Sequence, residues 1–157
     1  LLLAVSAKVR VPFWPVPMTM QSFVVLLLGV ACGPRLGVVT GALYLVEGAL
    51  GLPVFAKGAG IVYLIGPTGG YLFGFVMAMG VCGWLAERGW SRTTVRMLAL
   101  MLVGEILIFT PGVLWLGVAI GIDKAVTFGL APFIVAEIFK MALAAVTVPL
   151  VWRAFRH

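Results

Sequence analysis

An acidic and a basic side chain lie three residues apart in an apolar segment near the end of the chain. Glu137 and Lys140 are the charged residues of the stretch 132–145. On a helix, positions i and i+3 share a face, so the two side chains project in the same direction. Ionisable groups are costly in hydrocarbon and usually face a partner, a cavity or a substrate. The pair therefore predicts a ligand site, and an ion pair that only satisfies its own charges is the alternative.

The composition of the chain indicates a membrane protein. Apolar residues make up 63% of it and charged residues 10%, and the mean hydropathy is +1.20. A soluble domain carries roughly 25% charged residues. The length of 157 residues suits about six helices, because each span needs about 20 residues. We expect an all-α membrane protein, a single substrate-binding domain over 1–157 whose six transmembrane helices carry long outer loops over a ligand pocket.

The apolar stretches give approximate spans. The first is a fragment that ends near Ala7, which we expect to be the end of a longer helix. The others are predicted at 21–32, 36–50, 69–86, 95–109 and 133–152. The apolar run 112–122 is too short for a span, and it predicts an interfacial or re-entrant helix.

Basic residues between the spans indicate the orientation. One side holds Arg35, Arg88, Arg92, Arg96, Arg153 and Arg156, and the other holds Lys8, Arg10, Lys57 and Lys124. Because basic residues favour the cytoplasmic side, the arginine-rich side is expected inside together with both termini. The loops 8–20, 51–68 and 110–132 are then outside.

Two of these outer loops have unusual compositions. Pro12, Pro15 and Pro17 make the first one stiff and extended, since proline fixes φ and removes a donor. The second, 51–68, is apolar, rich in glycine and aromatic. Apolar loop residues need a place to bury, so this loop predicts a lid over a pocket. A loop that packs on helix ends for stability is the alternative.

Other polar residues in the spans leave more than one interpretation. Glu105 lies near the middle of its span and can be protonated, paired within the bundle or part of a pocket floor. Glu47 lies near an outer helix end, where it can reach the interface. The ring and hydroxyl of Tyr44 can line a pocket or pack in the core. Cys32 and Cys82 are expected to be buried free thiols.

Several functional classes are disfavoured. The histidine of the chain is His157 at its end, so a nucleophilic triad has no base and no metal cluster is expected. The basic residues are scattered between apolar spans, which argues against nucleic-acid binding. Gly66-Pro-Thr-Gly-Gly is not followed by Lys-Ser/Thr and is not a phosphate loop. We expect neither enzymatic activity nor a cofactor.

Glycines recur at four-residue spacing near the start of the chain. Gly29, Gly33, Gly37 and Gly41 form this series. Small residues on one helix face let helices approach closely in lipid. Internal packing is one use of the series. Docking of a partner on a lipid-facing surface is the other.

Four motifs occur together in order. They are Val11-Pro-x-x-Pro-Val-Pro-Met-Thr-x-Gln21, Tyr44-Leu-x-x-Gly48-Ala-Leu-Gly-Leu-Pro-Val-Phe-Ala56, Gly66-Pro-Thr68-Gly-Gly-Tyr71-Leu72 and Pro132-Phe-x-x-x-Glu137-x-x-Lys140. With them the chain, from about Val9 to Ala145, resembles the BioY family of biotin-binding S components of energy-coupling factor importers. The family usually has Asp where this chain has Glu137.

The resemblance implies a prokaryotic cell-membrane protein that binds biotin beneath its outer loops. It also implies a separate transmembrane coupling subunit and a pair of cytoplasmic ATPases. The residues that we expect to contact biotin are Glu137, Lys140, Tyr44, Phe55, Lys57, Tyr71, Thr68, Trp14 and Gln21. Ala4 and Ala7 are expected remnants of a partner-binding motif. An S component for another vitamin, an autonomous biotin transporter and a scaffold without a ligand are the alternatives.

Overall fold

The chain folds into a bundle of helices with one small hairpin of strands. A computed structural model describes residues 1–12 and 14–154, with side chains up to residue 150. The helices are α1 (Leu2–Lys8), α2 (Gln21–Ala49), α3 (Ile61–Leu64), α4 (Gly69–Glu87), α5 (Thr94–Ile120), α6 (Ile122–Gly129) and α7 (Ile134–Ala154). The strands β1 (Arg10–Val11) and β2 (Met18–Thr19) pair antiparallel, and 3₁₀ turns occupy Trp90–Arg92 and Ala131–Phe133.

Helix α2 is a helical hairpin with its turn at Gly33. This glycine has φ 76° and ψ 175°, a backbone conformation that glycine adopts without a steric penalty, and Pro34 opens the second limb. Gln21 and Tyr44 are 23 residues apart, which is about 35 Å along a straight helix. Their side chains are nevertheless joined by a hydrogen bond of 2.7 Å. The two limbs therefore run antiparallel, in agreement with the separate stretches predicted at 21–32 and 36–50.

Helix α4 lies at the centre of the bundle, between both limbs of α2 and α5. Gly29 and Gly37 face the backbone of Met79, which a Cβ atom at either position would approach to 2.9–3.0 Å. On the other side of α4, a Cβ at Gly74 would lie 2.8 Å from the backbone of Ile108 on α5. The glycines of this region thus serve internal helix packing.

Helix α5 continues through Pro111 to Ile120, so the separate re-entrant helix predicted for 112–122 is wrong. Proline removes one hydrogen bond of the helix, but the buried positions continue beyond it with a spacing of three or four residues. Ile108 and Gly112 continue the buried face against α4, and the buried Leu116 lies beside Gly129 of α6. The helix ends at Gly121, whose φ is 91°. The predicted outer loop 110–132 is mostly helical, because α6 follows directly.

The outer surface of the bundle is apolar. Within the part of the chain that the structure describes, four segments are long and apolar enough to cross a membrane by length and composition, namely Gln21–Ala49, Gly69–Glu87, Thr94–Ile120 and Ile122–Leu150. Large exposed side chains include Leu36, Val39, Val95, Val118 and Val135. Such a surface is suited to lipid contact. The expectation of an all-α membrane protein is confirmed, apart from the small strand hairpin, and the count of six spans stays a prediction.

Candidate ligand-binding site

Glu137 and Lys140 form a buried ion pair near the start of α7. Lys140 Nζ lies 2.9 Å from Glu137 Oε1, and the side chains are only 6% and 8% exposed. The i, i+3 spacing on α7 brings the groups together, as the sequence predicts. A buried pair is stable only when further hydrogen bonds satisfy the remaining polar atoms. The start of α2 supplies these bonds.

Ser22 joins the two charges. Its hydroxyl lies 2.9 Å from Glu137 Oε2, to which it donates, and it accepts a hydrogen bond of 3.0 Å from Lys140 Nζ. Lys140 also donates to the carbonyl oxygen of Thr19 at 2.7 Å. The three donors of the ammonium are therefore all used, by Thr19, Ser22 and Glu137. The cluster links α7 to the end of the strand hairpin and to the first turn of α2.

A cavity of about 50 Å³, here named the inner cavity, lies beside this cluster, between the helices and the loops 8–20 and 51–68. Glu137 and Ser22 contribute to its polar wall, and Glu137 is the charged residue on that wall. Most of the remaining wall is apolar or aromatic. It includes Val16, Leu72, Phe75, Ile108, Phe109 and Phe133. The arrangement combines an apolar enclosure with a few convergent polar groups, which is typical of small-molecule sites.

A second, outer cavity of about 280 Å³ adjoins the inner one. Pro17, Tyr63 and Thr68 line both cavities and separate them as a neck. Lys57 contributes to the wall of the outer cavity. The loop 51–68 thus lines both cavities, in agreement with the lid that its composition predicts.

Three further predicted residues lie on the wall of the inner cavity. They are Gln21, Thr68 and Tyr71. The Tyr71 hydroxyl donates to the carbonyl oxygen of Gly129 at 2.8 Å, and its ring packs on Gly112, where a Cβ atom would lie 2.3 Å from it. The Gln21 amide donates to the Tyr44 hydroxyl at 2.7 Å. Tyr71 and Gln21 are thus held in fixed orientations by the fold.

The structure does not bring Tyr44, Phe55 and Trp14 to the wall of the inner cavity. The Tyr44 hydroxyl donates to the carbonyl oxygen of Val54, which agrees with core packing, one of the two alternatives. Phe55 is fully buried between Tyr44 and Tyr63, because Gly48 leaves room for its ring. Trp14 is 72% exposed and meets Phe128 edge to face. Phe55 and Trp14 are thus not on the wall of either cavity in this conformation, and their contact with a ligand stays a prediction.

The predicted lipid-facing docking surface is also corrected. Ala7 is fully buried, and Gly29, Gly37 and Gly41 face α4. These small residues pack inside the bundle and are therefore not available on its lipid-facing surface. Ala4 is half-buried and keeps part of its surface exposed.

Sequence reasoning missed Ser22 and Tyr63. Ser22 follows Gln21 at the first turn of α2, and a serine beside an apolar run is a weak signal without its partners. The role of Ser22 in the site depends on its hydrogen bond to Glu137, which is 115 positions away in the sequence. Tyr63 lies in the predicted lid, where an aromatic residue among glycines was a usable signal.

A bundle of apolar helices with a buried ion pair beneath a loop-covered cavity defines a class, the membrane-embedded small-molecule binding proteins. Comparison with known proteins identifies the family within this class. The profile of the BioY family matches residues 1–157. The chain therefore belongs to the BioY family. This membership agrees with a transport subunit rather than an enzyme.

Individual relatives have similar lengths. The probable biotin transporter BioY of Pyrococcus horikoshii is 40% identical over 146 residues, which cover 92% of this chain and 86% of that protein. The biotin transporter BioY of Thermotoga maritima is 40% identical over 147 residues, with 92% and 85% covered.

The crystal structure of an S-component for biotin from an ECF-type ABC transporter matches with a TM-score of 0.81. It is 23% identical and covers 97% of this chain and 85% of that one. This similarity establishes the fold.

Proposed function

We propose that this chain is the biotin-binding membrane subunit, or S component, of an energy-coupling factor importer. Membership of a family whose members are named biotin transporters supports the ligand. The observation that carries the proposal is the carboxylate of Glu137, which is buried yet lines an apolar cavity under the outer loops.

The chemistry of biotin matches the inner cavity. Its ureido group offers two N–H donors and one carbonyl acceptor, and its fused thioether ring is apolar. The Glu137 carboxylate can accept from the ureido N–H groups, and charge-assisted bonds of this kind are stronger than neutral ones. Aromatic walls from Phe75, Phe109 and Phe133 suit the ring. Exclusion of water strengthens each polar contact.

Glu137 is proposed as the direct contact and Lys140 as the residue that positions it. Lys140 does not line the inner cavity and uses its three donors within the cluster. When a ligand N–H group reaches Glu137, the Ser22 hydroxyl can rotate toward the ligand carbonyl, since a hydroxyl both donates and accepts. The ion pair with Lys140 then holds the carboxylate in place.

The acid tail of biotin is proposed to extend into the outer cavity. Lys57 on that wall offers a positive charge to the tail carboxylate, and Thr68 in the neck offers a hydroxyl. Small-molecule sites usually measure roughly 300–1,000 Å³, and the two cavities together reach the lower end of that range. Binding of the whole ligand therefore requires Tyr63 and the loop 51–68 to move outward and close again.

Energy for import would come from other subunits. A binding pocket only shifts populations between outward and inward states, so directional pumping needs an external source. We propose a transmembrane coupling subunit and a pair of cytoplasmic ATPases as partners, with both termini of this multi-pass chain cytoplasmic. Residues 1–157 would then form one substrate-binding domain, and Ala4 remains the proposed small residue near the partner.

Uptake by membrane vesicles separates the candidate functions. Vesicles that contain this protein with the coupling and ATPase subunits should accumulate labelled biotin when ATP is supplied. Vesicles with the same subunits but an inactive ATPase should only bind it. Accumulation by this protein alone would favour an autonomous transporter, and a preference for another vitamin in a ligand panel would overturn the assignment of biotin.

A further inference from the structure

Three successive carbonyl oxygens of the loop 51–68 accept hydrogen bonds from side chains of three different elements. The acceptors are the carbonyls of residues 54–56. Their donors are, in the same order, Tyr44 of α2 at 3.0 Å, Lys8 at the end of α1 at 2.8 Å, and Arg10 of β1. Carbonyls of an exposed connecting loop are usually satisfied by water or by turns of the loop itself. The segment 54–56 is instead held by other parts of the fold.

This segment belongs to the ligand site. Ala56 lies on the wall of the inner cavity and is 6% exposed. Next to it, the ring of Phe55 occupies the space beside Gly48 and is fully buried. Lys8 and Arg10 are exposed and line neither the inner nor the outer cavity. They can therefore affect a ligand only through the backbone that they hold.

The strand hairpin connects these two cations with the buried ion pair. Arg10 of β1 pairs with Thr19 of β2, and the carbonyl oxygen of Thr19 accepts from Lys140 at 2.7 Å. Between the two cations, the carbonyl oxygen of Val9 accepts from the N–H of Met20 at 3.1 Å. A continuous series of polar contacts thus runs from the ion pair through the hairpin to the loop 51–68.

We propose that Lys8 and Arg10 are positioning residues that clamp the segment 54–56 to the hairpin. One wall of the site is thereby fixed relative to the ion pair before the ligand arrives. Such preorganisation favours binding, because less of the loop has to be ordered by the ligand. The inference rests on the proposed function, since it concerns how the site holds biotin.

The clamp limits the part of the loop that moves. The outward movement proposed above is confined to residues 57–66, which follow the clamped segment. Gly58 and Gly60 have φ angles of 137° and 86°, conformations that glycine adopts without a steric penalty. The ring of Tyr63 stacks on that of Phe55, with centroids 5.0 Å apart. Opening then separates Tyr63 from a Phe55 ring that stays in place.

The first test measures the rates of biotin association and dissociation for Lys8→Met, Arg10→Met and the double variant. Methionine keeps an apolar stem and removes the donor. Each single variant should release biotin about twofold to about tenfold faster, the range that corresponds to one hydrogen bond, and the double variant should release it faster than either. Changes at a binding site act mostly on dissociation. An unchanged dissociation rate in the double variant would overturn the inference.

Charge and hydrogen bonding are separated by control variants. Lys8→Arg and Arg10→Lys keep a donor and should release biotin more slowly than the methionine variants. Lys124→Met removes an exposed charge from α6. Loss of a remote cation weakens the attraction of the anionic biotin tail and acts on association, so dissociation should not change. The inference fails if Lys124→Met speeds dissociation as much as Lys8→Met, or if the variants that keep a donor match those that lose it.

Thiol labelling tests the clamp without any ligand. Ala56→Cys, in a background without the two natural cysteines, should react slowly with an impermeant thiol reagent because that position is buried. Adding the double methionine change should speed its reaction. Lys57→Cys, at the exposed next position, should react rapidly in both backgrounds. Equally slow labelling of Ala56→Cys in both backgrounds would overturn the clamp. If labelling responds as expected but the unchanged protein does not bind biotin, the proposed function fails and the clamp stands.

Discussion

The hydroxyl of Ser22 lies 2.9 Å from a carboxylate oxygen of Glu137, although the two residues are 115 positions apart in the chain. The same hydroxyl accepts from Lys140 at 3.0 Å. The first turn of α2 is thereby tied to the first turns of α7, and both ends of the chain contribute to one polar cluster. Ser22 is an uncharged member of the cluster that lies on the wall of the inner cavity.

Ser22→Ala should weaken biotin binding by about 1–3 kcal/mol, because it leaves a buried carboxylate oxygen without its hydrogen-bond partner. Titration of both proteins with biotin under the same conditions measures the difference. Ser91→Ala is the matched control, since Ser91 is 1% exposed but lies in the 3₁₀ turn between α4 and α5. Equal affinity of Ser22→Ala and the unchanged protein would remove Ser22 from the site.

Lys140→Ala should weaken binding by roughly 2–5 kcal/mol, because Glu137 is left buried and unpaired. Lys140→Met keeps an apolar stem of similar length and should be nearly as damaging, since the role of Lys140 in the cluster is polar. Lys124→Ala changes an exposed lysine on α6 and serves as control. If Lys140→Met binds biotin as well as the unchanged protein, the ammonium group is not needed for binding and Lys140 contributes only the packing of its apolar stem.

Gly29→Ala should lower the free energy of unfolding by about 1–3 kcal/mol, a typical cost of overpacking. The added Cβ would lie 2.9 Å from the backbone of Met79, which cannot rotate away. Gly80→Ala should cost less, because its Cβ would meet only a methyl group of Val38. Thermal unfolding in detergent checks both variants in the absence of any partner. If Gly29→Ala is as stable as the unchanged protein, Gly29 is not needed for internal packing, and docking of a partner on this glycine series becomes the better interpretation.

The proposed orientation places Lys57 outside and Arg92 inside. Single cysteines at these exposed positions, Lys57→Cys and Arg92→Cys, in a background with Cys32→Ala and Cys82→Ala, should react with an impermeant thiol reagent from opposite sides of the membrane. Excess biotin should also slow labelling at Lys57→Cys, because that position lines the outer cavity. Labelling of both positions from the same side would rule out the six-span arrangement.

The parts of the fold that depend on local patterns could be predicted from the sequence. The i, i+3 spacing of Glu137 and Lys140 and the apolar composition are local features, and the structure confirms the shared helix face and the apolar helical bundle that they predicted. The continuation of α5 beyond Pro111 was missed, because packing against α4 outweighs the helix-breaking tendency of proline. The positions of Phe55 and Trp14 could not be predicted. Whether an aromatic side chain of a loop is buried depends on residues elsewhere in the fold, such as Gly48, which leaves room for the Phe55 ring.

Direct titration of the purified protein with biotin, without ATP or partner subunits, tests the central claim. We predict saturable binding at one site, much tighter than the micromolar range that corresponds to about −8.2 kcal/mol. Glu137→Gln should bind far more weakly, because the amide lacks the charge that accepts from the ureido N–H groups. Absence of biotin binding at micromolar concentration by the unchanged protein, or full affinity in Glu137→Gln, would contradict the account.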